Sequence, residues 1–385
     1  MADKLQRLLA TTLALTDEFQ STLSTTPALS SSEKEPNTKP TEGPAPLPLL
    51  SASATALKAQ VTKLSLLAIN APFTPSAVNS VLSAINESVL PSLLTAALLI
   101  TDAAYTKSFR AEVHALVKTL LKELSGLIGD VKNVADKKDR EKKGGKKEEE
   151  LPPAEKDSVV VATGRVWDAC DVVVEIAGKG VVGFVIKRVE EWRDLVKDAI
   201  GELEEWDPND EEDDEDWDNL INGSGDDDDK SEDGDEEEEE EDAAALNEHK
   251  KMALRALKPI AAIYPAIVSN RLKKGGLETL ADVLLPSSHL RALETLMADL
   301  QSIPEHIDEA AGSLYEADIE KSSSYLRKAK GRAVKVVQSL VLPWTMAETE
   351  GTEAKTPEED KFSVWSKTWL KVIEEVMPAL DETTK

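Results

Sequence analysis

The sequence predicts an all-α protein, built as two bundles of long antiparallel helices joined by an acidic disordered loop. Three observations lead to this prediction. Aromatic residues make up only 4% of the chain, and the aliphatic residues are mostly Leu, Val and Ala, of which Leu and Ala favour helices. Apolar residues recur at helical spacing over long stretches. No stretch has the alternation of β-branched residues between turn signals that is typical of strands.

Six helices are expected in the N-terminal block. They are placed at residues 2–24, 50–70, 75–102 with a bend at Pro91, 105–134, 157–177 and 183–206. Thr74 followed by Pro75 is typical of a helix cap and first turn. The Ser, Thr, Pro and Gly residues of 25–48 predict a flexible linker. The mixed charges of 136–156 predict either a disordered connection or an extension of the preceding helix.

Four more helices are expected in the C-terminal block. They are placed at residues 243–272, 277–300, 305–342 and 360–380, and Pro286 is expected to cut or kink the second of them. The predicted domains are therefore an N-terminal bundle (1–206), an acidic disordered loop (207–242) and a C-terminal bundle (243–385).

The negative charge of the chain is concentrated in one place. The formal net charge is −28, and residues 202–242 hold 26 of the 73 acidic residues against one base, Lys230. This segment carries about −25, which leaves only about −3 for the rest of the chain. A broad basic face for direct nucleic-acid binding is therefore not expected.

The acidic loop also carries apolar side chains, which a purely solvated connection does not need. They are Trp206, Trp217, Leu220 and Ile221. One interpretation is an acidic and aromatic segment that binds a basic surface of a partner protein. The other is a solvated connection in which Trp206 and Trp217 cover helix ends, and the sequence leaves both open.

The residues offer no persuasive chemistry. Residues 178–183 match the G-x-G-x-x-G pattern of dinucleotide sites, but the following strand with its acidic residue is replaced by a helix that runs into the acidic loop. We interpret the glycines as a turn between two helices. The four histidines are scattered, and Cys170 has no base nearby in the sequence. No catalytic residue, cofactor or metal ligand is expected, and we expect a protein that is not an enzyme.

The cysteine content, the N-terminal residues and the apolar runs all favour a location in the cytoplasm or nucleus. The single cysteine excludes an intramolecular disulfide and favours a reducing compartment. The first residues lack a signal-peptide pattern. The most apolar run, 90–100, is interrupted by Pro91 and is short for a bilayer span. We expect no membrane partner and a location in the cytoplasm and nucleus.

Three short patterns nevertheless resemble a known family. Residues 165–170 (RVWDAC), 195–199 (LVKDA) and the acidic helix end at 207–208 are similar to the cyclin-D-binding protein 1 family, whose members are also described as helix-loop-helix proteins without a basic region. The residues concerned, which we interpret as mainly structural, are Trp167, Ala169, Cys170, Val196, Lys197, Asp198, Asp207 and Pro208.

The resemblance implies a two-domain helical protein that binds D-type cyclins and helix-loop-helix factors and restrains cell-cycle progression. It implies no active site, and the oligomeric state stays open. The residues leave two other hypotheses: an acidic chaperone-like or chromatin-associated binder of basic proteins, and, by architecture alone, a cytoskeletal bundle.

Overall fold

The computed structural model describes residues 2–25, 45–144, 150–208, 235–273, 285–342 and 360–376, and every regular element in these ranges is helical. This confirms the predicted all-α fold class. In chain order the helices are α1 (Ala2–Thr25), α2 (Pro46–Ile69), α3 (Pro75–Ala84), α4 (Leu90–Leu99), α5 (Lys107–Lys143), α6 (Pro153–Glu205), α7 (Asp235–Ile267), α8 (Ser287–Tyr315), α9 (Ile319–Ser339) and α10 (Lys361–Val376). Two π-helical turns, Ile85–Val89 and Val268–Lys273, follow α3 and α7.

The buried face of α1 mixes leucines with threonines. Its fully covered residues are Leu5, Leu9, Thr12, Thr16 and Leu23. The hydroxyls of Thr12 and Thr16 donate to the backbone carbonyls of Leu8 and Leu13, at 2.9 and 2.8 Å, so both are satisfied within the helix. This face packs along α5 and also contacts α3.

The predicted bend at Pro91 takes the form of a π-helical turn. The turn Ile85–Val89 ends directly before α4, and the amide of Leu90 bonds to the carbonyl of Ile85, one residue further back than in an α-helix. The wider turn accommodates Pro91, which has no N–H to donate and would crowd the preceding turn. Thr74 is the N-cap residue of α3 and Pro75 lies in its first turn, as predicted, but the Thr74 hydroxyl donates to the Pro72 carbonyl at 3.2 Å and accepts no hydrogen bond from the helix.

Two helical stretches are long and apolar enough to cross a membrane by length and composition alone. They are Pro75–Leu99, half of whose most apolar window is buried in the fold, and Ala243–Lys273, with 44% buried. The first runs through the π turn, which is why the run 90–100 understated its length. Core helices of water-soluble proteins also satisfy this criterion, so it does not by itself indicate a membrane.

Helix α5 is longer than the predicted 105–134. It begins after Thr106, whose hydroxyl accepts a hydrogen bond from the amide of Phe109 at 3.1 Å, and it ends at Lys143. Its charged end is held by contacts on both sides: Gln6 donates to Asp136 at 2.6 Å and Lys137 lies 2.7 Å from Glu155. The helix extension, one of the two interpretations of the charged connection, therefore holds up to Lys143, and 145–149 lie outside the described residues.

The predicted fifth and sixth helices are two parts of α6, separated by a kink. Gly180 has φ 61° and ψ −164°, a backbone conformation that side chains with a Cβ rarely adopt, and the chain is helical on both sides of it. The glycines of 178–183, predicted as a turn between two helices, therefore form a kink at Gly180 between two helical parts.

The boundaries of the C-terminal helices differ from the predicted ones because Pro286 and Pro304 occupy other positions relative to the helices than expected. Pro286 precedes α8, whereas Pro304 lies inside it, so the break expected between residues 300 and 305 is wrong. The chain breaks instead at 316–318, where Asp318 caps α9 by accepting from the amide of Lys321 at 2.9 Å. Helices α9 and α10 both pack against α7.

The contacts divide the chain into two compact units. The first unit comprises Met1–Phe184 with Ala281–Glu294, and the second comprises Val185–Leu280 with Thr295–Lys385. The first change of unit falls inside α6, just after the kink. The domains predicted at 1–206, 207–242 and 243–385 stay a prediction; within them, 209–234 lie outside the described residues, as does 26–44 of the predicted linker, and α7 begins at Asp235, inside the predicted loop.

Candidate functional site

The first part of α6 presents one face to the core of the first unit and another to solvent. Its buried residues follow a helical repeat: Val159, Ala162, Val166, Cys170, Val173 and Ala177. The exposed face carries four large apolar side chains, and these are Val160 at 51% exposure, Val161 at 57%, Trp167 at 37% and Val172 at 41%. Exposed apolar side chains at this density on one helix face are unusual for a purely solvated surface.

Trp167 is fixed at one edge of this face by α2. The ammonium of Lys58 lies 5.9 Å from the centre of the indole ring. The same ammonium donates to both carboxylate oxygens of Asp171, at 2.6 and 2.7 Å. Because these charges are largely exposed, the pair adds little to stability, but it holds Lys58 over the indole and limits its orientations.

Helix α2 extends the exposed apolar face. The side chain of Leu47 approaches Gly180, and Lys58 contacts Asp171, so α2 and α6 run antiparallel. Continued along α2, this register places Leu66, which is 53% exposed, opposite residues 161–163. We call the set Leu66, Val160, Val161, Trp167 and Val172 the α6 surface.

On the other edge, α6 is joined to α5 by polar contacts. Arg165 lies 3.1 Å from Glu123, and Ser158 donates to Asp130 at 2.9 Å. At about 100° per residue, Val160 and Trp167 lie along one edge of the exposed face and Val161 and Val172 along the other, with the exposed acids Asp168, Asp171 and Glu175 between them. The α6 surface therefore combines two rows of apolar side chains, one with an aromatic residue, with charged groups, as protein-binding surfaces do.

The sequence contained a signal for this surface that residue patterns alone did not decode. Residues 159–161 are three consecutive valines, and a helix can bury only one of them on a narrow face. The structure buries Val159 and exposes Val160 and Val161. The sequence could not indicate which face of α6 meets the core, because that depends on α2 and α5.

Cys170 lies on the buried side of the same helix. It is fully buried, and burial raises the pKa of its thiol to about 12, although the nearby Lys58 acts in the opposite direction. The thiolate is the reactive form of cysteine. Cys170 is therefore a small core residue in this fold.

The remaining residues of the family-like patterns take varied positions. In the first unit, Ala169 is half-buried beside Trp167 in the sequence. In the second unit, Val196 is buried, Lys197 and Asp198 are exposed, Asp207 is exposed and Pro208 is half-buried. Of the residues proposed to bind a partner, Trp217, Leu220 and Ile221 lie outside the described residues.

Trp206, at the end of α6, packs within the second unit. Its ring lies 5.0 Å from the ring of Tyr315 in an edge-on arrangement. Lys250 on α7 donates to the backbone carbonyls of Trp206 and Glu204. Trp206 therefore covers a helix end, which is one of the two roles expected for it, and its role in binding stays a prediction.

The described residues contain few features suited to small-molecule chemistry. Among them, no three His, Cys, Asp or Glu side chains are grouped so that they could hold a metal ion. A cavity of about 140 Å³ lies in the second unit, between the later part of α6 and α7. Pockets for drug-sized ligands are typically about 300 Å³ or more. Gly180 sits in a helical span, so the strand–turn–helix setting of a dinucleotide site is not formed at 178–183.

Comparison with known proteins identifies the region that carries the α6 surface. Residues 49–209 match a family model described as Grap2 and cyclin-D-interacting, N-terminal. This match confirms the resemblance to the cyclin-D-binding protein 1 family. No curated protein matches the chain. No solved structure matches it either.

Proposed function

We propose that this chain, whose residues 49–209 match the Grap2 and cyclin-D-interacting family model, is a non-enzymatic regulator that binds other proteins through the α6 surface. The family is one of protein interaction, and its matched region, 49–209, contains every residue of that surface. The single observation that supports the proposal is the set of exposed apolar side chains on α6, among them Trp167 beside Lys58.

The partner that best fits the family description is a D-type cyclin, with helix-loop-helix factors as further candidates from the resemblance. Binding would restrain cell-cycle progression, and the protein would act in the cytoplasm and nucleus. The α6 surface suits this role because exposed apolar side chains provide affinity, with Trp167 as the aromatic anchor, and the charged groups beside them provide selectivity.

A charge substitution on the α6 surface tests the proposal directly. The double variant Val160→Glu, Val161→Glu places two carboxylates where an apolar partner surface would lie. We expect its affinity for a purified D-type cyclin to fall at least about tenfold, because burying unpaired charges costs several kcal/mol. Binding is measured by surface plasmon resonance, with circular dichroism melting as the check on folding.

The matched control is Leu195→Glu. Leu195 is 51% exposed on the later part of α6, in the second unit and outside the α6 surface. Its affinity should equal that of the wild type. Equal loss in both variants, or unchanged affinity in the double variant, contradicts the assignment of the α6 surface. No measurable binding of wild-type protein to D-type cyclins contradicts the choice of partner.

A second function, binding of basic proteins in the manner of an acidic chaperone, is supported by a different observation. The segment 202–242 carries 26 acidic residues and one base. Replacement of 209–234 by a neutral Gly-Ser linker of equal length removes 14 of these acids, so it should strongly weaken salt-sensitive binding to purified histones and leave cyclin binding unchanged. Histone affinity that is unchanged by the replacement excludes this function.

A further inference from the structure

Helix α9 is strongly basic in an otherwise acidic chain. Its residues Ile319–Ser339 include six bases and one acid, Glu320. Four of the bases and a tyrosine follow helical spacing along one side: Lys321, Tyr325, Lys328, Arg332 and Lys335. At about 100° per residue these five side chains fall within about 80° of the helix circumference. We call them the α9 stripe.

The acids near the α9 stripe neutralise it only in part. Arg332 and Lys335 share one carboxylate, Asp299, each at 2.9 Å, and Asp299 is almost fully buried. The two bases nevertheless remain 45% and 56% exposed, so each can contact a second acid.

The first half of the stripe is still more open. Lys321 lies 3.6 Å from Glu316, and both side chains are exposed. Lys328 is exposed and its ammonium lies 4.1 Å from the centre of the Tyr325 ring. Arg327 and Lys330 are half-exposed bases on other sides of α9. The charges of Lys328 and Arg332 act on His306 of α8 together with those of Glu305 and Glu309. The stripe therefore presents exposed bases to solvent, and acids of α8 compensate part of their charge.

The acidic segment 209–234 begins near the start of this helix and ends on a helix that packs against it. At one end, Trp206 packs on Tyr315, which precedes α9 by four residues. At the other end, the segment enters α7 at Asp235, about 21 Å of helix before His249, whose ring lies 3.2 Å from the Ser322 hydroxyl in the first turn of α9. All these contacts are within the second unit.

Length and charge both suit an interaction between the segment and the stripe. The 26 residues 209–234 can extend over about 86 Å at most, whereas α9 is about 31 Å long, so the segment can run along the helix and return. These residues include 14 acids and one base, Lys230. Attachment at both ends gives an effective concentration on the order of millimolar, well above that of a free acidic partner.

We propose that the α9 stripe is the binding surface for the chain's own acidic segment 209–234. The carboxylates pair with Lys321, Lys328, Arg332 and Lys335, and Trp217 supplies an aromatic contact beside Tyr325. The proposal is independent of the α6 surface, which lies in the other unit.

The test is a distance measurement on the full chain. Ser224→Cys in the segment and Gln338→Cys near the end of α9 take donor and acceptor dyes, since the native Cys170 is buried. We expect energy transfer to be about twofold more efficient at 50 mM than at 500 mM salt, because salt screens the pairing. The variant Lys321→Glu, Lys328→Glu should give the low value at both salt concentrations, and it leaves the pairs of Asp299 intact.

The matched control is Lys361→Glu, Lys371→Glu, which reverses two exposed bases on α10. It should behave as the wild type, and thermal melting of every variant checks the fold. Equal transfer in wild-type and stripe-variant proteins overturns the proposal. Energy transfer between separately labelled chains would assign the stripe to a second copy and overturn the proposal. Low transfer in the wild-type protein, together with an affinity for poly-glutamate that deletion of the segment does not change, would also overturn it.

Discussion

Arg271 and Asp360 form a paired contact that joins three elements of the second unit. Nη1 of Arg271 lies 2.6 Å from one carboxylate oxygen of Asp360, and Nη2 lies 3.2 Å from the other. The guanidinium is 1% exposed, donates also to the carbonyls of Leu340 and Val341, and stacks 4.3 Å from the centre of the Phe362 ring. The π turn after α7, the end of α9 and the start of α10 therefore meet at one side chain.

Removal of the acid should destabilise the second unit. Asp360→Ala leaves a buried guanidinium without its carboxylate, and it also removes the hydrogen bond that Asp360 accepts from the amide of Ser363 at the start of α10. Because Asp360 is 34% exposed, we expect a loss of about 2–3 kcal/mol in the free energy of unfolding, near the lower end for broken buried pairs. Urea denaturation followed by circular dichroism measures it.

The control for this variant is Glu204→Ala. Glu204 lies 3.0 Å from Lys258 in an exposed pair of the same unit. Its loss should be below about 1 kcal/mol. Equal losses in the two variants would show that burial of Arg271 does not strengthen the contact.

The same pair predicts a dependence of stability on acid pH. The hydrogen bond from Arg271, aided by those from Ser363, lowers the pKa of Asp360 to about 2 in the folded protein. The unfolded value is about 3.9. The stabilisation is therefore complete above about pH 4 and is lost as the pH falls toward 2. The difference in unfolding free energy between wild type and Asp360→Asn should shrink between pH 6 and pH 3; a constant difference excludes this linkage.

His249 predicts a second pH dependence, near neutrality. It is 5% exposed and burial lowers its pKa below the ordinary value of 6.5, so the folded protein holds it neutral. A histidine whose pKa is lower in the folded than in the unfolded protein stabilises the fold at pH values above its unfolded pKa. This stabilisation is lost as the pH falls below about 6.5. His249→Gln should reduce the decrease in melting temperature between pH 7.5 and pH 5.5.

Two other histidines serve as comparisons for His249. Burial also lowers the pKa of His114, in the first unit, and of His306, which is less buried. His306→Gln should change the pH dependence less than His249→Gln does. The reverse order would contradict burial as the cause.

Gly180 should not tolerate a side chain. Its φ of 61° with ψ of −164° is strained for any residue with a Cβ, so Gly180→Ala should lower the free energy of unfolding by about 1–3 kcal/mol. Gly178→Ala is the control, since a Cβ there meets no atom within 4 Å and alanine favours a helix. If both variants unfold alike in urea, the kink at Gly180 does not require glycine.

Cys170 should be unreactive in the folded protein. Burial raises the pKa of its thiol to about 12, so almost no thiolate is present at pH 8. We expect Ellman's reagent to label it slowly in native protein and rapidly in 6 M guanidinium chloride. A single reactive thiol under native conditions at pH 8 would indicate that this part of α6 opens readily.

The sequence by itself determined the helical class and much of the helix order. Leu and Ala content, apolar spacing and the caps depend on neighbours within a turn or two, so they are visible in a local pattern. The same local patterns led to two errors. They placed a break near Pro304 and ended α5 too early, because packing can carry a helix through a proline or a charged stretch where propensity alone would end it.

The tertiary structure alone decided which helix faces are covered. Val159, Val160 and Val161 have the same side chain, and only the positions of α2 and α5 bury the first and expose the other two. Nothing in the local sequence indicates that Arg271 is buried, because its partners are residues 69 to 89 positions away. Burial and charge pairing depend on residues distant in the chain, and a local pattern contains no record of them.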